Sequence, residues 1–236
     1  MSGHRCQMVR RHAVMTWIIL TAIMQLVLVA VGMNPIVDGQ LLDADSYSRL
    51  VRIEQMHREG VFSDSTDMRV NAPFGERLQW SRPLDVLIEG GALAITAVGV
   101  YYRDALFLAG AAVSPALQLV ELVILYEWWR RRHPGPGAGY VLLASRLIAS
   151  PALFTVFAVG YSDHHSLLAV IFLGQLATLS RLMDDISGRV PAGWALGLLG
   201  GLGVWVSLEA VVAQALFGVI LVAMWTSGRI QGKDIA

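Results

Sequence analysis

Long uninterrupted apolar runs constrain this chain more than any other feature. Residues 13–33 are almost continuously apolar, and at a helical rise of ~1.5 Å per residue that length crosses a hydrocarbon core of ~30 Å. Further runs at 105–126, 139–160, 166–180, 192–208 and 210–226 are separated by polar breaks. Hydrocarbon offers no water to backbone amides, so such spans must be helices that satisfy their own hydrogen bonds. With 55% hydrophobic and 15% charged residues and a mean hydropathy of +0.56, the chain has too little polar surface to cover a soluble globule. The expected fold is all-α: a polytopic membrane protein of about six transmembrane helices, forming a single membrane domain over residues 1–236.

Charge placement orients these spans. The formal net charge is +0, which gives no basis for a nucleic-acid partner. Arg5, Arg10 and Arg11 precede the first run, which is long for the apolar core of a signal peptide and lacks a clear small-x-small cleavage site. An uncleaved anchor with a cytoplasmic N-terminus is therefore expected, and Arg130, Arg131 and Arg132, beside Trp128 and Trp129, should lie on the same side. The segment from Leu84 to Val100 is apolar but carries Asp85 and Glu89. If it spans, the arginine cluster falls on the wrong side, so it reads as an interfacial helix within a long first outer loop, residues 34–104. Asp45, the Asp163-His164-His165 triplet and Glu209 then all face one outer compartment. The lone cysteine, Cys6, cannot form an intramolecular disulfide.

Those outer-face residues are the candidates for chemistry. Asp43 and Asp45 open a helix that continues through Ser48 to Arg58 with Leu50, Val51, Ile53 and Met56 apolar, so capping accounts for at least one of them. The Asp163-His164-His165 triplet offers more than a cap requires, since it adds two imidazoles to a carboxylate. Its plain reading is a polar interfacial turn. As a donor set it suits Mn²⁺, Mg²⁺ or a softer transition ion. Glu209, between two apolar runs, is either a third carboxylate of the site or a hydrated turn residue. Trp80 and Arg82 would suit a ligand that is part sugar and part phosphate, by stacking and by forked hydrogen bonds, or else sit at headgroup level.

On these motifs the chain resembles the GT-C membrane glycosyltransferases, most closely the catalytic subunits of oligosaccharyltransferases of archaeal or bacterial type. Asp45-Ser46-Tyr47-Ser48-Arg49-Leu50 follows the Asp, aromatic and Leu positions of the family's first-loop motif. Gly160-Tyr161-Ser162-Asp163-His164-His165 matches its second-loop G-x-x-D-x-H pattern. The resemblance implies Asp45 and Asp163 as catalytic residues and Asp45, Asp163 and His165 as ligands of a divalent metal, with Arg82 on the donor phosphate; Trp80 as a donor contact and His164, Glu209 and Asp43 as further candidates rest on the residues themselves and not on the family pattern. It implies transfer of a sugar or oligosaccharide from a polyprenyl-phosphate or -diphosphate donor to an acceptor peptide, lipid or glycan on the periplasmic or extracellular side. Family members carry about twice as many membrane helices and a globular outer domain with a W-W-D-Y-G motif. Neither has a counterpart here, so the chain looks like the N-terminal half of such an enzyme. A truncated or accessory, non-catalytic homologue is the competing reading. A small transporter is a third, disfavoured because the polar groups sit at one interface rather than the midplane.

Overall fold

The computed structural model describes residues 3–60, 66, 71–76, 82–132, 155–184 and 189–230. These residues form seven α-helices and no strand: α1 Gly3–Ala30, α2 Ala44–Glu59, α3 Pro83–Thr96, α4 Tyr102–Arg132, α5 His165–Asp184, α6 Arg189–Val206 and α7 Ala210–Thr226. A single 3-10 turn, Pro35–Asp38, follows α1. Local chemistry accounts for the element ends. Asp43 caps α2 by accepting the Ser46 N–H at 2.7 Å, and Gly60 closes it at φ +64°, a left-handed conformation that costs a glycine nothing. Proline opens α3 as Pro83, where its missing N–H has no partner to lose.

Of the expected spans, α4 and α5 are long and apolar enough to cross a membrane; Ile18–Ala30, Val190–Val206 and Ala210–Thr226 are shorter apolar helices. The run expected over 139–160 is corrected at its end. Residues 139–154 lie outside the described residues, and from Phe157 to Gly160 the chain is a turn, with Gly160 at φ +84°. Within Leu84 to Val100 lies α3, which stops at Thr96 and is about 21 Å long by its 14 residues.

Helices α3 and α4 pack along each other, as do α4 with α5 and α5 with α6, while α2 lies against α3 and α4. Leu50 and Ile53 of α2, Leu84, Ile88 and Ala92 of α3, and Leu106, Ala109 and Leu117 of α4 are buried in one apolar cluster with Phe157, Val170 and Ile171. Small residues set the spacing. A Cβ on Gly110 of α4 would come within 2.7 Å of Leu50 Cδ2 and 3.1 Å of Ser162 Oγ, so glycine is what admits both neighbours.

The polar segments collect at two ends. At one, Arg132 at the end of α4 bonds Ser180 and Asp184 at the end of α5, and Trp128 donates its indole N–H to Ser180 at 2.9 Å. Leu20 of α1 packs there against Leu122, Leu125 and Tyr126. At the other end, the segment from Phe157 to Ser166 is bonded to four parts of the chain at once. It is there that the candidate residues meet.

Candidate metal centre

A non-helical stretch next to apolar helices has backbone groups that need partners. Gln25 on α1, 7% exposed, provides two: its amide donates to the Phe157 carbonyl at 2.9 Å and accepts from the Val159 N–H at 3.1 Å. Asn34 donates to the Val159 carbonyl at 2.7 Å, and Gly160 bonds in both directions, accepting from Leu42 N at 3.0 Å and donating to the Ala111 carbonyl at 2.9 Å. Ser162 continues the pattern by donating its N–H to Ser46 Oγ at 2.8 Å and its hydroxyl to the Gly110 carbonyl at 2.9 Å. Ser114 of α4 bonds the Tyr161 carbonyl, while Ser166 donates to the Asp163 carbonyl at 3.1 Å. Buried polar groups paired this completely hold the turn in one geometry.

Asp163, 4% exposed, stands at the centre of what that turn presents. His164 Nδ1 lies 2.6 Å from its Oδ1, and His165 Nδ1 lies 2.5 Å from its Oδ2. The His164 backbone N–H donates to Oδ1 at 2.7 Å, and the Tyr161 hydroxyl donates to Oδ2 at 3.3 Å. The two imidazoles are stacked with centroids 4.4 Å apart. Burial works to raise the Asp163 pKa, but the hydrogen bond and charge of His164, the backbone N–H and the His165 hydrogen bond outweigh it and hold the carboxyl well below the usual range. The phenol of Tyr161 is pushed up, first by burial and then by the negative charges of Asp163, Asp43 and Asp45.

One carboxylate oxygen and two imidazole nitrogens within 4.8 Å of one another form the only such cluster of potential ligands among the described residues: Asp163, His164 and His165. This donor set fits a divalent ion, and two imidazoles favour a first-row transition ion over Mg²⁺. Asp45, expected as a ligand, is not a member of the cluster. It sits exposed in the first turn of α2, near enough to Tyr161 to act on it electrostatically, while Asp43 serves as the cap. Glu209 is closer than the sequence indicated, with its carboxylate oxygens 3.9 Å from His164 Nε2 and 3.5 Å from His165 Nε2.

Arg82 is placed elsewhere. It is 7% exposed and pairs with Asp85 at 3.2 Å, inside a cluster in which Arg49 and Arg52 each reach the same carboxylate at 2.7 Å. Trp80 lies outside the described residues. Arg49 connects the two clusters, since its other guanidinium nitrogen is 3.5 Å from Asp163 Oδ1. Arg49, Asp85, Tyr161 and Gln25 were not singled out as site residues from the sequence. A signal existed for Arg49: with Ser46, Leu50 and Ile53 it shares the helical face of α2 that packs inward.

A groove of about 360 Å³ opens beside the cluster. His165 and Glu209 lie at its polar mouth, and its walls are apolar side chains such as Leu168, Ile171 and Phe172. Gln175 and Gln214, also on its lining, bond each other reciprocally at 2.9 and 3.2 Å. No protein-family model, curated protein or solved structure matches this chain.

Proposed function

We propose that the chain is a membrane-embedded, metal-dependent glycosyltransferase, transferring a sugar or oligosaccharide from a polyprenyl-phosphate or -diphosphate donor to an acceptor outside the cytoplasm. The observation that carries this reading is a carboxylate–imidazole cluster at the mouth of an apolar groove. Such a site suits an amphiphile, with charge at one end and hydrocarbon along the wall. A lipid environment is supported by large apolar side chains turned outward on several helices, among them Leu26 at 66%, Leu198 at 71%, Val212 at 78% and Val219 at 67% exposed. At 31 residues, α4 is about 46 Å long, more than a hydrocarbon core of ~30 Å requires. The surplus suits an orientation in which its first turns rise beyond the lipid, flanked by α2 and α3 on the outer surface, with the N-terminus and Arg130 to Arg132 on the cytoplasmic side.

In this reading a nucleophilic oxygen or nitrogen of the acceptor bonds to the anomeric carbon of the donor sugar. The bond from that carbon to the phosphate oxygen breaks, and the phosphate leaves with the electron pair. Asp45, exposed at the start of α2, orients the acceptor and takes its proton. A divalent ion held at the Asp163–His164–His165 cluster would neutralise charge on the departing phosphate. Tyr161, bonded to Asp163 and flanked by Asp43 and Asp45, keeps its proton and so remains a hydrogen-bond donor.

The test is turnover of a radiolabelled polyprenyl-linked sugar by purified, lipid-reconstituted protein with and without chelator. Asp45→Ala and Asp163→Ala should each abolish transfer, and undiminished activity in either overturns the mechanism. A non-catalytic accessory role is the second reading, favoured by the position of Asp45 outside the ligand cluster. Absence of metal-dependent turnover by the wild-type chain, with donor bound, would select it.

A further inference from the structure

The orientation of the two imidazoles carries more than their proximity. Each turns Nδ1 toward Asp163, at 2.6 and 2.5 Å, and each turns Nε2 toward Glu209, at 3.9 and 3.5 Å. A carboxylate can only accept, so each ring donates its Nδ1–H to Asp163, and in the form that binds a metal it keeps a lone pair on Nε2. Those lone pairs face a second carboxylate. Electron-pair donors brought together in this way repel unless a cation lies between them.

The spacing bears on which cation. Hydrogen bonds between nitrogen and oxygen have heavy-atom distances of ~2.7–3.2 Å, and both gaps exceed that range. Two ligand atoms each ~2.1 Å from a tetrahedral ion stand about 3.4 Å apart, close to the observed 3.5 Å, with the 3.9 Å gap needing a small side-chain adjustment. Glu209 has the freedom to make it. Its side chain is 63% exposed, and although it occupies the N-cap position of α7 it makes no cap hydrogen bond. Its carboxylate is held by no helix end and lines the mouth of the groove with His165.

We propose that the ion is held by His164 Nε2, His165 Nε2 and Glu209, with Asp163 acting behind them as the carboxylate that fixes both rings. Metal-bound histidines generally donate their other ring N–H to such a partner, which sets the tautomer and strengthens the ligand. Two imidazoles and one carboxylate with an open position select a borderline transition ion, Zn²⁺, Co²⁺ or Mn²⁺, over Mg²⁺. Because His165 and Glu209 line the groove, a phosphate oxygen of a lipid headgroup lying in it could reach an ion so held. This assignment rests on the metal dependence proposed above but is tested without turnover.

The experiment is titration of tag-free, full-length protein in detergent with Co²⁺, whose visible absorption reports the donor set, followed by competition with Zn²⁺. His164→Ala and His165→Ala should each cause the largest loss of affinity. Glu209→Gln should weaken binding and alter the Co²⁺ spectrum, whereas Asp163→Asn should weaken it by about 10- to 100-fold and leave the spectrum unchanged. Wild-type binding by Glu209→Gln, or a changed spectrum in Asp163→Asn, overturns the assignment while leaving the glycosyltransferase reading in place. Failure of the wild-type protein to bind any of these ions overturns it as well. Normal binding without sugar transfer removes the glycosyltransferase reading alone.

Discussion

Asp85 and Asp163 are both buried carboxylates, 0% and 4% exposed, and Arg49 touches both, yet their surroundings differ in kind. Asp85 is ringed by the guanidinium groups of Arg49, Arg52 and Arg82, all themselves buried, which tie α2 and the loop before α3 to α3 itself. Asp163 is ringed by imidazoles, one of which, His165, is 44% exposed and borders a groove. Guanidinium groups stay charged and hold a carboxylate permanently. Imidazoles can exchange a proton or take a metal, and these two turn their far nitrogens toward the exposed carboxylate of Glu209. A closed charge cluster fixes the position of helices, whereas an open one of similar burial can receive a ligand.

The largest effect should come from Asp85→Ala, which leaves three buried guanidinium groups facing one another. Loss of one partner in a buried pair costs roughly 3–5 kcal/mol, so the variant should fail to fold or melt far below wild type by fluorescence-monitored thermal unfolding in detergent. A wild-type melting temperature would break the comparison, because the cluster would then not be architectural.

Asp163→Asn should cost less, roughly 1–3 kcal/mol, and the cost should depend on pH. The folded carboxyl titrates below its unfolded value of ~3.9, so its stabilisation is fully present above that value and is lost as pH falls toward the folded value. Melting curves of wild type and variant should therefore differ at pH 7 and draw together progressively as pH falls below about 4. A gap that stays constant through acid pH would mean that the charge of Asp163 contributes nothing.

Gln25→Leu tests how the open cluster is held. It removes both bonds to the Phe157–Val159 turn and leaves a buried N–H and C=O unpaired, a loss of about 1–3 kcal/mol. Hydrogen–deuterium exchange should rise at residues 157–163 and stay unchanged in α2 and α3 if the two clusters are separately supported. The smallest effect belongs to Asp43→Ala, a lost helix cap worth about 1 kcal/mol. Metal affinity should survive it, and a loss there would move Asp43 from capping into the site.

Helix positions were legible because they depend on local pattern. The run over 210–226 coincides with α7, and that over 166–180 lies within α5. The end of the run over 139–160 was not, since Phe157 and Ala158 are buried and apolar whether they are helical or not. The turn there is bonded by residues far away in sequence, among them Gln25, 132 residues from Phe157. The candidate site divides in the same way. The Asp163-His164-His165 triplet is contiguous, so its cluster could be read directly. Whether Asp45 or Glu209 approaches it depends on packing, and it is the Glu209 carboxylate that comes within 3.9 Å of both Nε2 atoms.

The amino-acid sequence by itself determined that this chain is helical, that its helices are dominantly apolar, and that acid and imidazole groups stand between them, because period, length and hydropathy act over a few residues. Tertiary structure alone decided which charges meet. The pairing of Arg82 with Asp85, the bridging of Arg49 to Asp163 and the approach of Glu209 to two Nε2 atoms depend on how α2, α3, α5 and α7 pack. Coulombic and coordination chemistry is set over a few ångströms, and separation along the chain places no bound on that distance.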